Sequence, residues 1–522
     1  LTRVLRHPSV TLAVLLGTIA LNVFLYVRVP KGFFPEQDNG RMMGSIQADQ
    51  DTSFQSMQKI LTRMIKIVAA DPAIASVSGS TGGSGGGSGG GVTNAARLYI
   101  MLKPMEQRKL SADLVAQRLR PKLLRVPGAT CFLAPSQDLR VGGHSTSATY
   151  QFVMQGDNLE DLIDYSPRML QALKKLPIIT DANSDQLNHG LQTYVEYDRA
   201  TAARFGISPQ LIDNTLYDAF GQRQASTMYT GLNQYHVVME AAPQYWQNPD
   251  FLSEIYVRSP SGQQVPLSAF AHYAPATAPL QVNHMGLFPA VTISFNVSHG
   301  VALGDAVDAI GDVAREVGLP STIHTTFAGT AQVYQQSLKT EPLLIAAALA
   351  AVYIVLGMLY ESYIHPITIL STLPSAGVGA LLALMLCRIE LSIIAIIGII
   401  LLIGLVKKNA ILMIDFALQA ERTEHLSSRD AIYEACLLRF RPILMTTMSA
   451  ALGALPLALG TGIGAELRRP LGITIIGGLV VSQLLTLYTT PVVYLFLDRL
   501  QVRWERTHPA RAGEGDIVGS EA

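Results

Sequence analysis

Six apolar segments, each long enough to cross a lipid bilayer as a helix, restrict the fold of this chain more than any other feature. They cover about 10–29, 342–360, 366–387, 391–417, 442–460 and 470–497. A spanning helix needs about 20 apolar residues, so each segment predicts a transmembrane helix. Charged residues make up only 15% of the chain, against about 25% in soluble domains, which supports an integral membrane protein.

Basic residues predict how these helices are oriented. Arginines lie before the first segment, in the loop near 418–441 and after the last segment, whereas Arg468 and Arg469 are exceptions in a short loop on the other side. With six spans the three arginine-rich regions share one side, which the positive-inside rule assigns to the cytoplasm. About 310 residues between the first and second segments are then outside it, in the periplasm of a Gram-negative cell.

This long region contains four βαβ units. Their strands and helices are expected near 41–79, 97–134, 148–185 and 290–328, from alternation in the strands and helical periodicity between them. A capping box of Thr52 and Gln55 is expected at the first helix. Units one and two predict one small α+β sandwich and units three and four another, with 186–289 inserted between the latter two.

A Gly/Ser tract at 79–94 separates the first two units. Such composition is typical of flexible linkers, so an engineered linker and a mobile loop beside a binding cleft are both compatible with these residues.

The fourth apolar segment carries polar residues that are costly in hydrocarbon. Lys407, Lys408, Asn409 and Asp415 lie in its second half, and ionisable groups inside a membrane usually mark functional sites. Lys408 and Asp415 share a helix face, whereas Lys407 points about 100° away and favours snorkelling to the interface. The other five segments contain no internal Asp or Glu, so the countercharge of Lys408 is expected in a missing helix. Together with the start at Leu1, this predicts that the chain is part of a longer protein.

The fifth segment adds Arg439 and Arg441 at its cytoplasmic end, with Thr446 and Thr447 one or two turns further in. These hydroxyl groups can relay protons or bond to carbonyl groups of their own helix.

Other classes of function find little support. The chain has no Gly-Lys dipeptide, hence no Walker A loop, and its histidines are scattered without metal-ligand spacing. The formal net charge is zero, which gives no basis for nucleic-acid binding. We therefore expect no enzyme, no metal and no cofactor.

Several motifs resemble those of the resistance-nodulation-division (RND) multidrug exporters, and the resemblance runs over nearly the whole chain. They read GLVKKNAILMIDFA (404–417), LLRFRPILMTTMSAALGALPL (437–457), LGMLYESYIHPITILSTLP (356–374) and LRRPLGITIIGGLVVSQLLTLYTTPVVYLFLDRL (467–500). The resemblance is strongest to subunits of heteromeric pumps.

This resemblance implies a fold: a membrane helical bundle of six helices, half of a twelve-helix protomer, plus periplasmic α+β porter subdomains. It implies the following boundaries: helix 1–30, a porter subdomain at 31–136, a second at 137–190 with 275–338, an inserted docking subdomain at 191–274, five helices within 339–500 and a cytoplasmic tail at 501–522.

The resemblance also implies functional residues. By motif, a proton relay falls on Lys408, Arg439 and Thr446, supported by Asn409 and Asp415, with the family's two aspartates in the absent half. The Gly/Ser tract falls where relatives have a switch loop of the drug cleft, which favours a native loop. Tyr99, Gly83 and Gly86 are therefore candidates for the substrate cleft.

The function implied is a proton antiporter: the carboxyl-terminal half of an inner-membrane subunit that exports amphiphilic small molecules. Its expected partners are the lipid bilayer, the amino-terminal half of the same protomer, paired RND subunits in a trimer, a periplasmic adaptor protein and an outer-membrane channel. The alternatives are an accessory subunit that conducts no protons and an RND-fold lipid or secretion factor.

Overall fold

The structure, a computed structural model, describes residues 2–82, 93–138, 142–143, 146–246, 248–298 and 300–507. The predicted cleft residues Gly83 and Gly86, with most of the Gly/Ser tract, lie outside these ranges. The helices described are α1 (Thr2–Arg6), α2 (Pro8–Arg28), α3 (Phe54–Ala69), α4 (Met105–Arg108), α5 (Ala112–Leu123), α6 (Leu159–Lys174), α7 (Arg199–Arg204), α8 (Pro209–Phe220), α9 (Pro243–Trp246), α10 (Leu303–Val317), α11 (Thr330–Tyr360), α12 (His365–Leu370), α13 (Leu373–Leu386), α14 (Ile393–Glu424), α15 (Ser428–Ala458) and α16 (Ala465–Thr507).

The strands lie between α2 and α11. They are β1 (Arg41–Ala48), β2 (Ile74–Thr81), β3 (Ala95–Leu102), β4 (Ala129–Pro135), β5 (Tyr150–Gly156), β6 (Ile179–Ser184), β7 (Gly190–Tyr197), β8 (Arg223–Tyr229), β9 (Gln234–Met239), β10 (Tyr256–Arg258), β11 (Gln264–Pro266), β12 (Ala271–Ala278), β13 (His284–Met285), β14 (Phe288–Val297) and β15 (Ile323–Ala328).

The first two βαβ units share one four-stranded sheet with the order β2-β3-β1-β4. Each neighbouring pair is antiparallel, so the two strands of one unit are parallel and enclose a strand of the other, as in split βαβ folds. Alternate residues of β1 and β3 are buried because one face of the sheet packs on α3 and α5.

The helix α3 does not begin with the capping box that the sequence predicts. Ser53 is the N-cap, and its hydroxyl accepts a hydrogen bond from Ser56 N at 3.3 Å. The prediction of Thr52 with Gln55 was wrong by one residue, because two adjacent hydroxyl residues precede this helix and either can cap it.

Units three and four repeat the arrangement. The strand β14 pairs with β5 on one side and with β6 on the other, and β5 also pairs with β15, all antiparallel. One face of this sheet packs on α6 and α10 around a core that includes Phe295, Ile293 and Met154.

Residues 49–52 and 186–282 form a separate compact unit. The strands pair as β7 with β12, β8 with β9 and β10 with β11, and a small core includes Ile212, Val257 and Leu267. The β8–β9 hairpin is exposed along most of its length. The subdomain boundaries drawn from the resemblance remain predictions.

Within the described residues, five helices are long and apolar enough to cross a membrane: Pro8–Arg28, Pro342–Tyr360, His365–Leu386, Ile393–Glu424 and Ala465–Leu500. The helix α15, which covers most of the predicted span 442–460, is not among them. Arg439 and Arg441 interrupt its first half, and the apolar part left between Arg441 and Ala458 is short for a span. The count of six spans therefore stays a prediction.

The predicted third span is a broken helix. Its two parts, α12 and α13, meet at Ser371 and Thr372. Pro374 follows this break, and a proline cannot donate to the carbonyl four residues earlier and clashes with it. The interruption is thus encoded by one residue.

Close approach of backbones holds the apolar helices together. A Cβ atom added to Gly379 would overlap the carbonyl oxygen of Gly477, so α13 and α16 can approach this closely only because Gly379 lacks a side chain. Small residues at such contacts are typical of helix packing in membranes.

Candidate functional site

The polar residues singled out by the sequence lie on α14, and packing determines which of them face the bundle. Ser392 caps this helix by accepting a hydrogen bond from Ala395 N at 3.3 Å. A stripe of mainly small and aliphatic residues is buried against the neighbouring helices: Ala395, Gly398, Leu402, Val406, Asn409, Ala410, Met413, Ile414, Ala417 and Ala420. Asn409 is the polar member of this stripe.

A chain of two hydrogen bonds links three helices at Asn409. Its Nδ2 donates to Thr447 Oγ1 on α15 at 3.1 Å, and the Thr447 hydroxyl donates to Gln483 Oε1 on α16 at 2.9 Å. Asn409 and Thr447 are 8% and 7% exposed, so both bonds lie inside the bundle. Buried polar groups require such partners, and these bonds set the rotation of α14 relative to α15.

Lys408 and Thr446 lie on the same open side of the α14–α15 pair. The Cys436 thiol lies 3.4 Å from the Met413 sulfur while Asn409 meets Thr447, so the two helices are antiparallel. When two residues of such a pair face each other, the residue before each of them is rotated by about 100° around its own helix axis. Because the two helices run in opposite directions, both of these preceding residues point to the same side of the pair. Both Lys408 and Thr446 are exposed on this chain.

Asp415, two turns after Lys408, is also exposed and shares its helix face. Within the described part of the chain, no ion pair joins Lys408 to Asp415 or to another carboxylate. The Thr446 hydroxyl donates to Ile443 O of its own helix at 3.1 Å. The predicted relay residues thus share a face but are not bonded to one another, and Lys407 beside them is half-buried.

Arg439 reaches α14 from α15. Its Cζ atom lies 4.9 Å from the centre of the Phe416 ring, a favourable cation–π distance. Its Nε atom is buried and has no hydrogen-bond partner among the described residues. The guanidinium group therefore contacts the residue that follows Asp415 on α14. Its Nε–H group can still donate a hydrogen bond.

Sequence reasoning missed Gln483 and Tyr494, and it did not predict which residues Thr447 contacts. Thr447 and Gln483 complete the buried chain from Asn409, and Tyr494 on α16 donates a hydrogen bond to Glu421 Oε1 on α14 at 2.9 Å. Gln483 is the sole amide in its apolar segment, a signal that could have identified it.

Tyr99 lies on the face of the first sheet that faces away from the core. Its neighbours Leu98 and Ile100 are buried in the core, whereas Tyr99 is 46% exposed and is flanked across the sheet by Met43 and Ser78. An exposed aromatic ring on an open sheet face can bind an apolar ligand by stacking.

A junction outside the apolar helices ties them to the second sheet. Leu391 N donates to Pro30 O at 2.8 Å, and Ile393 N donates to Phe33 O at 3.1 Å, while the Phe33 side chain belongs to the core of that sheet. Glu390 lies in this junction. Its burial, together with the nearby carboxylates Glu36 and Asp305, raises its pKa to about 7.

Asp185, the residue that follows β6, is a second carboxyl group with a shifted pKa. It accepts hydrogen bonds from Thr292 N at 2.7 Å and from Asn283 Nδ2 at 2.8 Å. Burial raises its pKa to about 6, although these hydrogen bonds act in the opposite direction.

The described residues contain no group of three or more His, Cys, Asp or Glu side chains arranged to hold a metal ion.

Comparisons with known proteins agree with this architecture. The chain is 57% identical over 503 residues to multidrug resistance protein MdtC of Yersinia enterocolitica serotype O:8 / biotype 1B (strain NCTC 13174 / 8081), covering 96% of this chain and 48% of that protein. It is 56% identical over 503 residues to the protein of the same name from Cronobacter sakazakii (strain ATCC BAA-894), with the same coverage. The chain thus spans about half the length of the curated relatives it matches.

A solved structure has the same fold. The crystal structure of a heavy metal efflux pump (crystal form II) superposes with a TM-score of 0.84 at 21% identity, covering 95% of this chain and 52% of that one. At this identity the likeness concerns the fold alone.

The sequence profile of the AcrB/AcrD/AcrF family matches residues 1–498. The RND resemblance drawn from the motifs is confirmed by this match, and the chain belongs to the AcrB/AcrD/AcrF family.

Proposed function

We propose that this chain is the carboxyl-terminal half of a proton-driven efflux subunit of the inner membrane of a Gram-negative bacterium. It would export amphiphilic molecules from the periplasm or the outer leaflet toward an outer-membrane channel. The observation that carries the proposal is the exposed Lys408 on an apolar spanning helix, on the same open face as Thr446 and Asp415. The names of the relatives, multidrug resistance proteins, support export of drugs.

The environment of Lys408 argues for a partner outside this chain. A charged side chain at the centre of a bilayer costs several kcal/mol unless it is paired or hydrated. On the same side of α14, Leu401 is 48% exposed and Ile397 is 45% exposed, so an apolar surface surrounds the charge. A second helical bundle that brings a carboxylate to Lys408 would cover both the charge and this surface, and we assign that role to the amino-terminal half of the protomer.

Proton binding at that carboxylate would release Lys408 and change how the two halves pack. One proton that moves down a potential of 100 mV supplies about 2.3 kcal/mol, and about 1.4 kcal/mol changes an equilibrium tenfold. The junction at Pro30, Phe33 and Leu391 offers a rigid connection through which helix movement would reach the second sheet.

The remaining assignments follow from family membership. The two sheets would be the porter subdomains that enclose the substrate cleft near Tyr99, and the insert near 191–274 would be the docking subdomain. A trimer with paired subunits, a periplasmic adaptor protein and an outer-membrane channel would complete the assembly.

The experiment measures dye efflux from a pump-deficient Gram-negative strain that expresses the complete protein and its paired subunit. Lys408→Ala should abolish efflux at unchanged membrane levels. The matched control is Lys407→Ala, which removes the neighbouring charge on a different side of α14 and should retain efflux. Equal efflux by both variants and the wild type would instead favour an accessory subunit that conducts no protons.

A further inference from the structure

A line of polar side chains follows one face of α16 from the Asn409 region toward the carboxyl-terminal end of the helix. Its members are Gln483, Thr486, Thr490 and Tyr494, spaced by three or four residues, so they share a helix face. Thr486 and Thr490 are 5% and 0% exposed, although the segment is apolar enough to cross a membrane. At 1.5 Å per residue the line is about 17 Å long.

Hydrogen bonds link both ends of this line to α14, one end through Thr447 of α15 and the other directly. At one end Gln483 Oε1 accepts from Thr447, which in turn accepts from Asn409, the neighbour of Lys408. At the other end the Tyr494 hydroxyl donates to Glu421 Oε1 at 2.9 Å.

The ring of His365, at the start of α12, stacks on the Tyr494 ring. The ring centres are 6.0 Å apart and the ring planes differ by 18°. A titratable imidazole and a carboxylate thus meet at the same tyrosine.

Two atoms on this line, Gln483 Nε2 and Thr490 Oγ1, are buried without a hydrogen-bond partner in the described part of the chain, and so is Nδ1 of the neighbouring His365 on α12. Buried polar groups in native proteins are nearly always bonded, to water where the protein offers no partner. Two such atoms on one face of α16, with a third in the ring that stacks on Tyr494, therefore indicate a hydrated path rather than a packing fault at a single residue.

Another threonine of the same helix shows how a buried hydroxyl group is ordinarily satisfied. Thr474 is also 0% exposed, but its hydroxyl bonds to Pro470 O at 2.9 Å and to Leu471 O at 2.8 Å. Hydroxyl groups in apolar helices commonly satisfy themselves in this way, and Thr490 does not.

We propose that Thr447, Thr486, Thr490 and Tyr494, with water between them, form a proton path from the Lys408 face to Glu421 and His365. The proposal rests on the proposed proton coupling and names its route. The hydroxyl oxygen of Ser482 lies 3.1 Å from that of Thr486, and so adds another hydroxyl group to the path. The gap between Thr486 and Thr490 is about one turn, a distance that one water can bridge.

The transfer leaves every residue unchanged. Each hydroxyl oxygen accepts a proton from the preceding water and releases its own proton to the next one. The amide groups of Asn409 and Gln483 orient water and hold no extra proton. The Glu421 carboxylate or the His365 imidazole takes the proton at the far end and passes it to solvent.

The charged and titratable groups around that end come from three helices. Arg422 and Asp498 lie near the His365 ring, Asp498 also lies near Tyr494, and Tyr360 contacts the His365 ring at 6.2 Å between centres. The carboxylate of Asp415, on α14, interacts electrostatically with Tyr360. Glu421 and Asp498 thus supply carboxylates at this end of the path, and Arg422 supplies a cation.

The test measures substrate-driven proton flux with a pH-sensitive dye in proteoliposomes that contain the complete protein and its paired subunit. Thr490→Val combined with Tyr494→Phe removes two hydroxyl groups and keeps the side-chain shapes. This variant should slow proton flux about a hundredfold, the lower end of what loss of a proton-transfer group costs, and should show a larger ratio of rates in H2O and D2O. Thr474→Val is the matched control and should behave as the wild type.

The outcomes separate this path from the proposed function. If Lys408→Ala stops proton flux while Thr490→Val/Tyr494→Phe and Thr474→Val both match the wild type, the path is wrong and proton coupling stands. If the wild type moves no protons, both fail. A variant that is slow but shows the same unfolding temperature and substrate affinity as the wild type supports the path, since a purely structural role would change those two quantities.

Discussion

Thr447 Oγ1 lies between Asn409 Nδ2 and Gln483 Oε1, at 3.1 Å from the first and 2.9 Å from the second, and so joins α14, α15 and α16 through one hydroxyl group. This hydroxyl both accepts and donates, which no apolar side chain can replace. The contact orients the face of α14 that carries Lys408, and the proposed coupling depends on that orientation.

Loss of this hydroxyl should destabilise the bundle. Thr447→Val leaves Asn409 Nδ2 and Gln483 Oε1 buried without their partner, and a buried unsatisfied group costs about 1–3 kcal/mol. Thermal unfolding of the full-length protein in detergent should therefore occur at a lower temperature. Thr489→Val is the control because the Thr489 hydroxyl bonds only to Leu485 O of its own helix among the described residues. Equal unfolding temperatures for the two variants would contradict the bridging role.

The Glu390 junction should make stability depend on pH. Burial and the neighbouring Glu36 and Asp305 raise the pKa of Glu390 from 4.5 to about 7, so the folded protein favours the protonated carboxyl group. The stability that this group contributes is complete below pH 4.5 and is lost as pH rises through about 7.

Glu390→Gln mimics the protonated form and should flatten the fall in unfolding temperature across this window. Glu316→Gln, which changes an exposed glutamate on α10, should leave the pH profile unchanged. A profile for Glu390→Gln that matches the wild type would show that this carboxyl group does not titrate in the window.

Two glycines of the apolar helices should differ in their tolerance of a methyl group. A Cβ atom at Gly472 would lie 2.8 Å from the Cα atom of Ala458, whereas at Gly453 no atom lies within 4 Å. Gly472→Ala should separate α15 from α16 and lower the yield of folded protein, and Gly453→Ala should not. Comparison of monodisperse yield by size-exclusion chromatography measures the difference, and equal yields would be inconsistent with the close packing.

Tyr99 should contribute to binding of aromatic substrates. Its ring is exposed and stacking is worth about 0.5–1.5 kcal/mol, so Tyr99→Ala should weaken efflux of planar dyes by about twofold to tenfold. Tyr99→Phe keeps the ring and should retain efflux. If both variants behave as the wild type at equal expression, Tyr99 does not belong to the cleft.

Local patterns predict much of this fold. The alternation in 41–48 corresponds to β1, and the periodicity after residue 53 corresponds to α3, because each element has one buried face. The break between α12 and α13 was not predicted, although Pro374 encodes it, because uninterrupted apolar character concealed the proline. Gly453 and Gly472 are alike in sequence, and only the neighbouring helix distinguishes them.

The candidate site was predictable in its residue types and less so in its contacts. Lys408 stands out because a charge in an apolar segment is rare. That Thr447, rather than Thr446, bonds to Asn409 depends on the rotation of α15, which a single helix cannot reveal. Tyr494 and Glu421 are separated by 73 positions in the chain, and no local pattern connects residues so distant.

The most direct test of proton coupling through Lys408 measures proton uptake into proteoliposomes that contain the complete protein and its paired subunit, when an amphiphilic substrate is added. The account predicts that the wild type and Lys407→Ala move protons on addition of substrate, and that Lys408→Ala binds the substrate with unchanged affinity but moves none. Proton movement by Lys408→Ala at the wild-type rate would contradict it.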